Sequence, residues 1–303
     1  MYKFISLIGT LLLMGCGQSG ESPAPASASA PMKAAKELAT EITGSAQLAA
    51  VLASQPDEVQ ARYVYRHPQE TLEFFGIEPG MVVVEALPGG GWYSKILLPY
   101  LGEDGVLVGA DYARDMYANF DFASEEFLER KKTWVSDWTA EAEEWSGEGG
   151  AQVDAFVFGQ LPEEMHGTAD AVLLIRALHN LARFEATGGY LTAALQDSYD
   201  VLRSGGVVGI VQHQARDNMP DDWAVGDNGY LKQQFVVGMM EKIGFEFLGS
   251  SDINKNELDQ PTTDDIVWRL PPSLGTSADD EELRAAMMAI GESNRMTLKF
   301  RKP

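Results

Sequence analysis

The sequence predicts an α/β protein built on a mostly parallel β-sheet with helices on both faces. Three observations carry that expectation. Short apolar runs alternate with stretches of helical periodicity from residue 57 to residue 300, an order that implies right-handed crossovers between parallel strands. Residues 81–112 (MVVVEALPGGGWYSKILLPYLGEDGVLVGADY) read as strand, tight glycine turn, helix and strand, with the acids Glu85 and Asp111 at the strand ends. Finally, 45% of the 303 residues are hydrophobic, including 13 Phe and 6 Trp, which is enough to fill a sizeable core.

The first residues set an expected compartment. Lys3 is followed by an apolar stretch over residues 4–14 and then by Leu13-Met14-Gly15-Cys16. That stretch suits an export signal and falls short of the roughly 20 residues of a membrane span. The last four residues resemble a bacterial lipobox, which implies a lipoprotein signal peptide over residues 1–15 and lipidation of Cys16. The alternative is an uncleaved leader with an accidental cysteine. Cys16 is the single cysteine of the chain, so no internal disulfide supports the fold. Residues 16–31, rich in Ala, Ser and Pro, have nothing to bury and read as a tether. The expected location is the cell envelope, lipid-anchored, most simply on the periplasmic side of an outer membrane. A formal net charge of −22 repels phosphate backbones and anionic headgroups. Nucleic acid is therefore excluded as a partner, and membrane attachment is left to the lipid alone.

Residues 32–80 read as an N-terminal helical extension. Alanine-rich helical spacing covers 32–53, and a second helical stretch over 57–75 is interrupted at His67-Pro68 and stopped at Gly76. Residues 81–303 form the expected main domain. Strands are predicted at 81–84, 106–110, 153–158, 169–175, 207–212, 245–248 and 296–300. A charged helix over 123–145 places Phe127, Trp134, Trp138 and Trp145 on one face for packing against the sheet. Helices follow at 191–202 and 230–243, a turn at 203–206, and residues 264–280 are punctuated by proline and irregular.

The glycine turn is the most informative element. Glycines let a ligand approach the backbone closely, and a carboxylate after the second strand can accept both hydroxyls of a ribose. Gly91 and Asp111 stand about 20 residues apart, as in nucleoside-binding βαβ units. The pattern is not Gly-x-Gly-x-x-Gly. Leu87, Gly89 and Gly91 instead occupy the places of an acid-x-Gly-x-Gly-x-Gly loop headed by Glu85. This resembles the S-adenosylmethionine loop of class I methyltransferases, with Leu87 in the place of the first glycine. The plain alternative is a tight strand-to-helix turn in another α/β protein.

The segments RHPQETLEFFGIEPGMVVVEALPGGGWYSKILLPYL, ADAVLLIRALHNL, LRSGGVVGIVQHQAR and MTLKFRKP together resemble a family of bacterial class I S-adenosylmethionine-dependent methyltransferases that includes exported members. The resemblance runs from about Arg66 to Pro303. It implies the Rossmann-like class I methyltransferase fold, a seven-stranded sheet whose last strand runs antiparallel and whose C-terminal edge holds the cofactor. It implies that Glu85, Gly89 and Gly91 hold the methionyl part of S-adenosylmethionine and that Asp111 binds the ribose. Gln160 stands where many such enzymes place an acid for the adenine amino group; its carbonyl can accept, without a charge.

In the implied fold, the ends of the fourth and fifth strands bring Arg176, His179, Asn180 and His213 to the place of a methyl acceptor. Methyl transfer needs alignment and, for hydroxyl or amine acceptors, a base. His179 or His213 fits the base, with Asn180 and Arg176 orienting a small-molecule acceptor. Each histidine also fits a polar strand cap bonded to backbone. No metal site is expected, since the acids nearest in sequence to the histidines (Asp217, Asp221, Asp222) fall in a loop. The implied activity is methyl transfer from S-adenosylmethionine. The alternative is an envelope lipoprotein that keeps the fold as a non-catalytic module for a small ligand, a reading prompted by export away from the cytoplasm where the cofactor is made.

Overall fold

The computed structural model describes residues 43–303. The expected signal peptide (1–15), tether (16–31) and lipidation site Cys16 lie outside the described residues. Seven strands form one sheet: β1 (Val82–Ala86), β2 (Val106–Asp111), β3 (Gln152–Val157), β4 (Ala169–Ile175), β5 (Leu202–His213), β6 (Glu246–Ser251) and β7 (Arg295–Arg301). Their spatial order is β3-β2-β1-β4-β5-β7-β6. Every neighbouring pair is parallel except those made by β7, which runs antiparallel to both β5 and β6. This is the Rossmann-like class I methyltransferase arrangement that the family resemblance implies.

The helices are α1 (43–53), α2 (Asp57–Gln60), α3 (Tyr63–Arg66), α4 (Pro68–Phe75), α5 (Ser94–Leu101), α6 (Glu125–Lys132), α7 (Trp134–Ser146), α8 (Leu178–Arg183), α9 (Glu185–Gly188), α10 (Tyr190–Val201), α11 (Gln233–Ile243) and α12 (Glu281–Ile290). They cover both faces of the sheet, which is why the central strands read as unbroken apolar runs. The period of two sorts their side chains. Val83, Leu107, Leu173 and Val211 point to the face covered by α4 and α5, whereas Val84, Val108, Val172 and Ile210 meet α8 and α10. Each such side chain, fully buried, contributes about 1.5–3 kcal/mol.

Two glycines are fixed by packing. A Cβ on Gly109 of β2 would stand 2.6 Å from the Trp138 ring, and one on Gly209 of β5 would stand 2.4 Å from Phe75. These strand glycines admit α7 and α4 flush against the sheet. The helices of residues 43–75 therefore pack directly on the sheet, through Leu48, Leu72 and Phe75, all with no exposed surface.

Three elements differ from the sequence reading. The helix expected over 123–145 is two helices, because Thr133 turns its hydroxyl to Arg130 O at 3.2 Å and to the Asp137 carboxylate at 2.7 Å, and its backbone leaves the helical range. Phe127 consequently packs beside the end of β2, while Trp134, Trp138 and Trp145 pack on the opposite face. Residues 203–206 continue β5 rather than turning, and Gly205 N–H bonds to Lys302 O at 2.8 Å. Helix α12 falls just after the stretch expected to be irregular; Leu283, Met287 and Ile290 share one of its faces without being buried, and Asp280 caps it by accepting from Leu283 N–H at 2.9 Å. No helix among the described residues is long and apolar enough to cross a membrane.

Candidate functional site

The carboxyl ends of the strands carry two different environments. On the β1–β2 side, the loop after β1 holds three residues in the left-handed region: Leu87 (φ 54), Gly89 (φ 56) and Gly91 (φ 74). The loop thus keeps the backbone of a three-glycine turn although Leu87 has replaced one glycine, at a strain of about 1–3 kcal/mol. A Cβ placed on Gly90 would meet nothing within 4 Å, and one on Gly89 only Leu87 O at 3.8 Å, so space lies over the turn. Gly91 is different: Trp145 packs on it within 2.4 Å of a would-be Cβ.

Both acids of this side are buried. Glu85 accepts from Ser94 Oγ at 2.6 Å, and burial pushes its carboxyl up to about 7, the serine bond opposing. Asp111 accepts from Tyr117 Oη at 2.6 Å and from Lys131 Nζ at 2.8 Å. Lys131 comes from α6, none of whose residues is buried, and it lies over the Tyr117 ring at 4.4 Å. Asp111 is therefore capped by a tyrosine and a lysine from the segment that follows β2. A carboxylate offers about four lone-pair positions, so two acceptor positions remain.

On the β4–β5 side a cavity of about 260 Å³ opens, and Arg176, His179, Asn180 and His213 all line it together with Leu87. The four residues expected at the acceptor position are thus brought together. Topology accounts for this: β4 and β5 are parallel neighbours, and Arg176 N–H extends their ladder to Val211 O at 2.6 Å. The imidazoles stand 5.4 Å apart between centroids, and Trp268 meets His179 edge-on at 5.7 Å. His213 Nδ1 lies 2.5 Å from Ser293 Oγ. Burial pushes His179 down to about 4, with Arg176 adding to the effect. Among the described residues, His179 Nδ1 and Gln212 Oε1 are buried without a hydrogen-bond partner. His213 is pushed well below its ordinary value by burial, then by His179, Arg176 and Arg295. The near-neutral pKa expected of a catalytic histidine is therefore not found. Both rings are neutral and weakly basic.

The far wall of the cavity comes from residues without a sequence signature. Antiparallel pairing sets Arg295 opposite His213 and so carries Glu292 and Ser293 to the cavity. Trp268 is held by its neighbour Arg269, which donates to Asp259 at 2.8 Å and Asp265 at 2.9 Å; Tyr230 Oη also bonds to Asp259. Glu292 receives Arg62, Arg66 and Arg295. Burial by itself raises the Glu292 carboxyl, but Arg295, Arg66, Arg62 and Arg176 outweigh it and hold the group below its usual range. The only sequence sign of this wall was the polar run Glu292-Ser293-Asn294-Arg295 before an apolar strand.

Gln160 does not join either group. It is exposed in the turn after β3, and its side chain makes no hydrogen bond to a described residue. Among the described residues no three His, Cys, Asp or Glu side chains converge as metal ligands.

No family model and no curated protein matches the chain. Solved structures similar to it include the [4+2]-cyclase SpnF, at 15% identity over 78% of this chain and 81% of that one, with a TM-score of 0.48. An S-adenosylmethionine-dependent methyltransferase from Aquifex aeolicus is similar at 16% identity over 66% and 93%, with a TM-score of 0.45. The 1,6-didemethyltoxoflavin-N1-methyltransferase of Burkholderia thailandensis is similar at 13% identity over 93% and 94%, with a TM-score of 0.43.

Proposed function

We propose that the protein transfers a methyl group from S-adenosylmethionine to a small molecule lodged in the cavity at the ends of β4 and β5. The observation that carries this reading is the loop after β1: its three left-handed residues sit between two buried carboxylates at the C-terminal sheet edge, beside a cavity with polar walls. The residues fit the cofactor. Space lies above Gly89 and Gly90, Asp111 keeps lone pairs for a diol, and Glu85 offers an acceptor at the loop. In this reading Glu85, Gly89 and Gly91 hold the methionyl part and Asp111 the ribose, and Gln160 flanks the adenine. The bound cofactor supplies an electrophilic methyl group.

The chain supplies orientation. Arg176 and Asn180 position the acceptor, and Asn180 is itself fixed by donating to Tyr112 Oη at 3.1 Å. His179 and His213 are neutral, so either is in the form that takes a proton, and in the tautomer that donates from Nδ1 to Ser293 the His213 Nε2 is the accepting atom. Their suppressed basicity makes alignment the larger contribution. The same reading places the enzyme in the cell envelope, tethered through a lipid on Cys16.

The test is calorimetric titration of the chain with S-adenosylhomocysteine. Micromolar binding is expected, and Asp111→Ala should weaken it by about 1–3 kcal/mol, the scale of charged hydrogen bonds lost. Absence of binding to the wild type would sink the reading, and unchanged affinity in the variant would remove Asp111 from the ribose site.

A further inference from the structure

Four guanidiniums gather around one carboxylate beside the cavity. Both oxygens of Glu292 are already used. Arg62 and Arg66 donate to Oε1, Arg66 at 3.2 Å, and Arg295 donates to Oε2 at 3.1 Å. Arg176 is the fourth. Its guanidinium lines the cavity and makes no hydrogen bond or ion pair with any described residue. The groups around it supply no further anion: burial pushes the Tyr93 hydroxyl up to about 12, and the two histidines are neutral. Burial and mutual repulsion lower Arg66 to about 10, and they lower Arg176 and Arg295 as well, Glu292 opposing in each case. Arg176 is half-buried, and its unpaired donors face the cavity, where a ligand can reach them.

The backbone aims this arginine deliberately. Arg176 is held at φ 57, a conformation that L-residues avoid, at the point where β4 leaves the sheet. Facing it are the apolar surfaces of Leu87 and Leu270 and the ring of Trp268. A guanidinium fork matches the two coplanar oxygens of a carboxylate. Glu292 in the same wall disfavours the second negative charge of a phosphate. The volume of about 260 Å³ lies just under the roughly 300–1,000 Å³ usual for small-molecule sites.

We propose that the cavity binds a small organic monocarboxylate, its carboxylate paired with the Arg176 guanidinium and its apolar body against Trp268, Leu87 and Leu270. The carboxylate's role as methyl acceptor rests on the methyl-transfer reading; its binding does not. This ligand gives the fourth guanidinium a carboxylate of its own and lowers the excess of positive charge around Glu292. It also accounts for a strained arginine at a strand end, where a residue with no partner would be free to relax.

The test is binding of acetate, benzoate, benzamide and phenyl phosphate to the 303-residue chain without cofactor, read by calorimetry and tryptophan fluorescence. Benzoate should saturate the site, with benzamide and phenyl phosphate at least about ten-fold weaker, the scale of one charge-assisted pair. Arg176→Asn should lose about ten-fold or more of the benzoate affinity. Asparagine tolerates left-handed backbone, so the variant should melt no lower than wild type, and Arg176→Gly serves as a second variant with the same backbone freedom. Equal binding of benzamide, tighter binding of phenyl phosphate, full affinity in both variants, or no binding of either acetate or benzoate would overturn the proposal. S-adenosylhomocysteine is titrated in parallel. Carboxylate binding without nucleoside binding would defeat the methyl-transfer reading and leave the carboxylate site standing.

Discussion

The two sides of the sheet's carboxyl edge are finished to different degrees. At β1 and β2 the acids have partners within the fold, Ser94 for Glu85 and Tyr117 with Lys131 for Asp111. At β4 and β5 a cavity stays open, and among the described residues His179 Nδ1 and the Arg176 guanidinium have no partner. Both sides carry strained backbone, at Leu87 and at Arg176. The difference lies in what satisfies the polar groups. The first side is held closed by the protein's own hydroxyl and ammonium groups, which a ligand has to share or displace. The second presents groups that the described residues leave unpaired to an open cavity.

The largest effect is expected where the open side is tied to the rest of the fold. Glu292→Ala leaves Arg62, Arg66 and Arg295 without their shared anion and should cost about 3–5 kcal/mol, seen as a lower midpoint in urea. A wild-type midpoint would mean that the guanidiniums are compensated from elsewhere.

The next effect sharpens the contrast through pH. Glu85, raised to about 7, contributes stability that is complete below about 4.5 and is lost as pH rises through 7. His179, lowered to about 4, contributes stability that is complete above about 6.5 and is lost as pH falls through 4. Between about pH 4.5 and 6.5 the two sides oppose each other, each by roughly 2–3 kcal/mol. Relative to wild type, Glu85→Gln should therefore gain melting temperature as pH rises over that range, and His179→Asn should lose it. Parallel pH profiles for the two variants would remove the contrast.

The smallest effect concerns the cap on the closed side. Lys131→Met frees one oxygen of Asp111 and should tighten S-adenosylhomocysteine binding about two- to five-fold, the range of a partly exposed ion pair. The free protein should at the same time melt slightly lower, because the buried carboxylate has lost its cation. Weaker binding would show that Lys131 belongs to the ligand rather than to the cap.

How much of this was legible in the sequence follows from the same contrast. The strands of both sides are apolar runs closed by recognisable residues, so the sheet, Glu85, Asp111 and the Arg176–Asn180 group were readable at nearly the right positions. Antiparallel insertion of β7 was implied only by the family resemblance. What brings Ser293 and Glu292 to His213 is that insertion, a contact across 80 residues for Ser293 with no local pattern. The cap on Asp111 was hidden for another reason. Phe127 and the tryptophans shared one helical spacing, and only the hydroxyl of Thr133, by breaking the helix, separates them and sends Lys131 back to Asp111. Gln160 is expected at the adenine only from the family resemblance, and its exposed side chain in the turn after β3 makes no hydrogen bond to a described residue that would assign it a role.

Because β7 lies between β5 and β6, β6 has no neighbouring strand until residues 295–301 arrive, and Arg62 and Arg66 have no anion until Glu292 does. During synthesis from the amino end, everything up to residue 291 must therefore wait with an unfilled slot in its sheet and an unanswered cluster of positive charge. The sheet is complete only when residues 295–301 enter that gap. A chain lacking them would leave the edges of β5 and β6 unpaired inside the fold, a template for pairing with another chain.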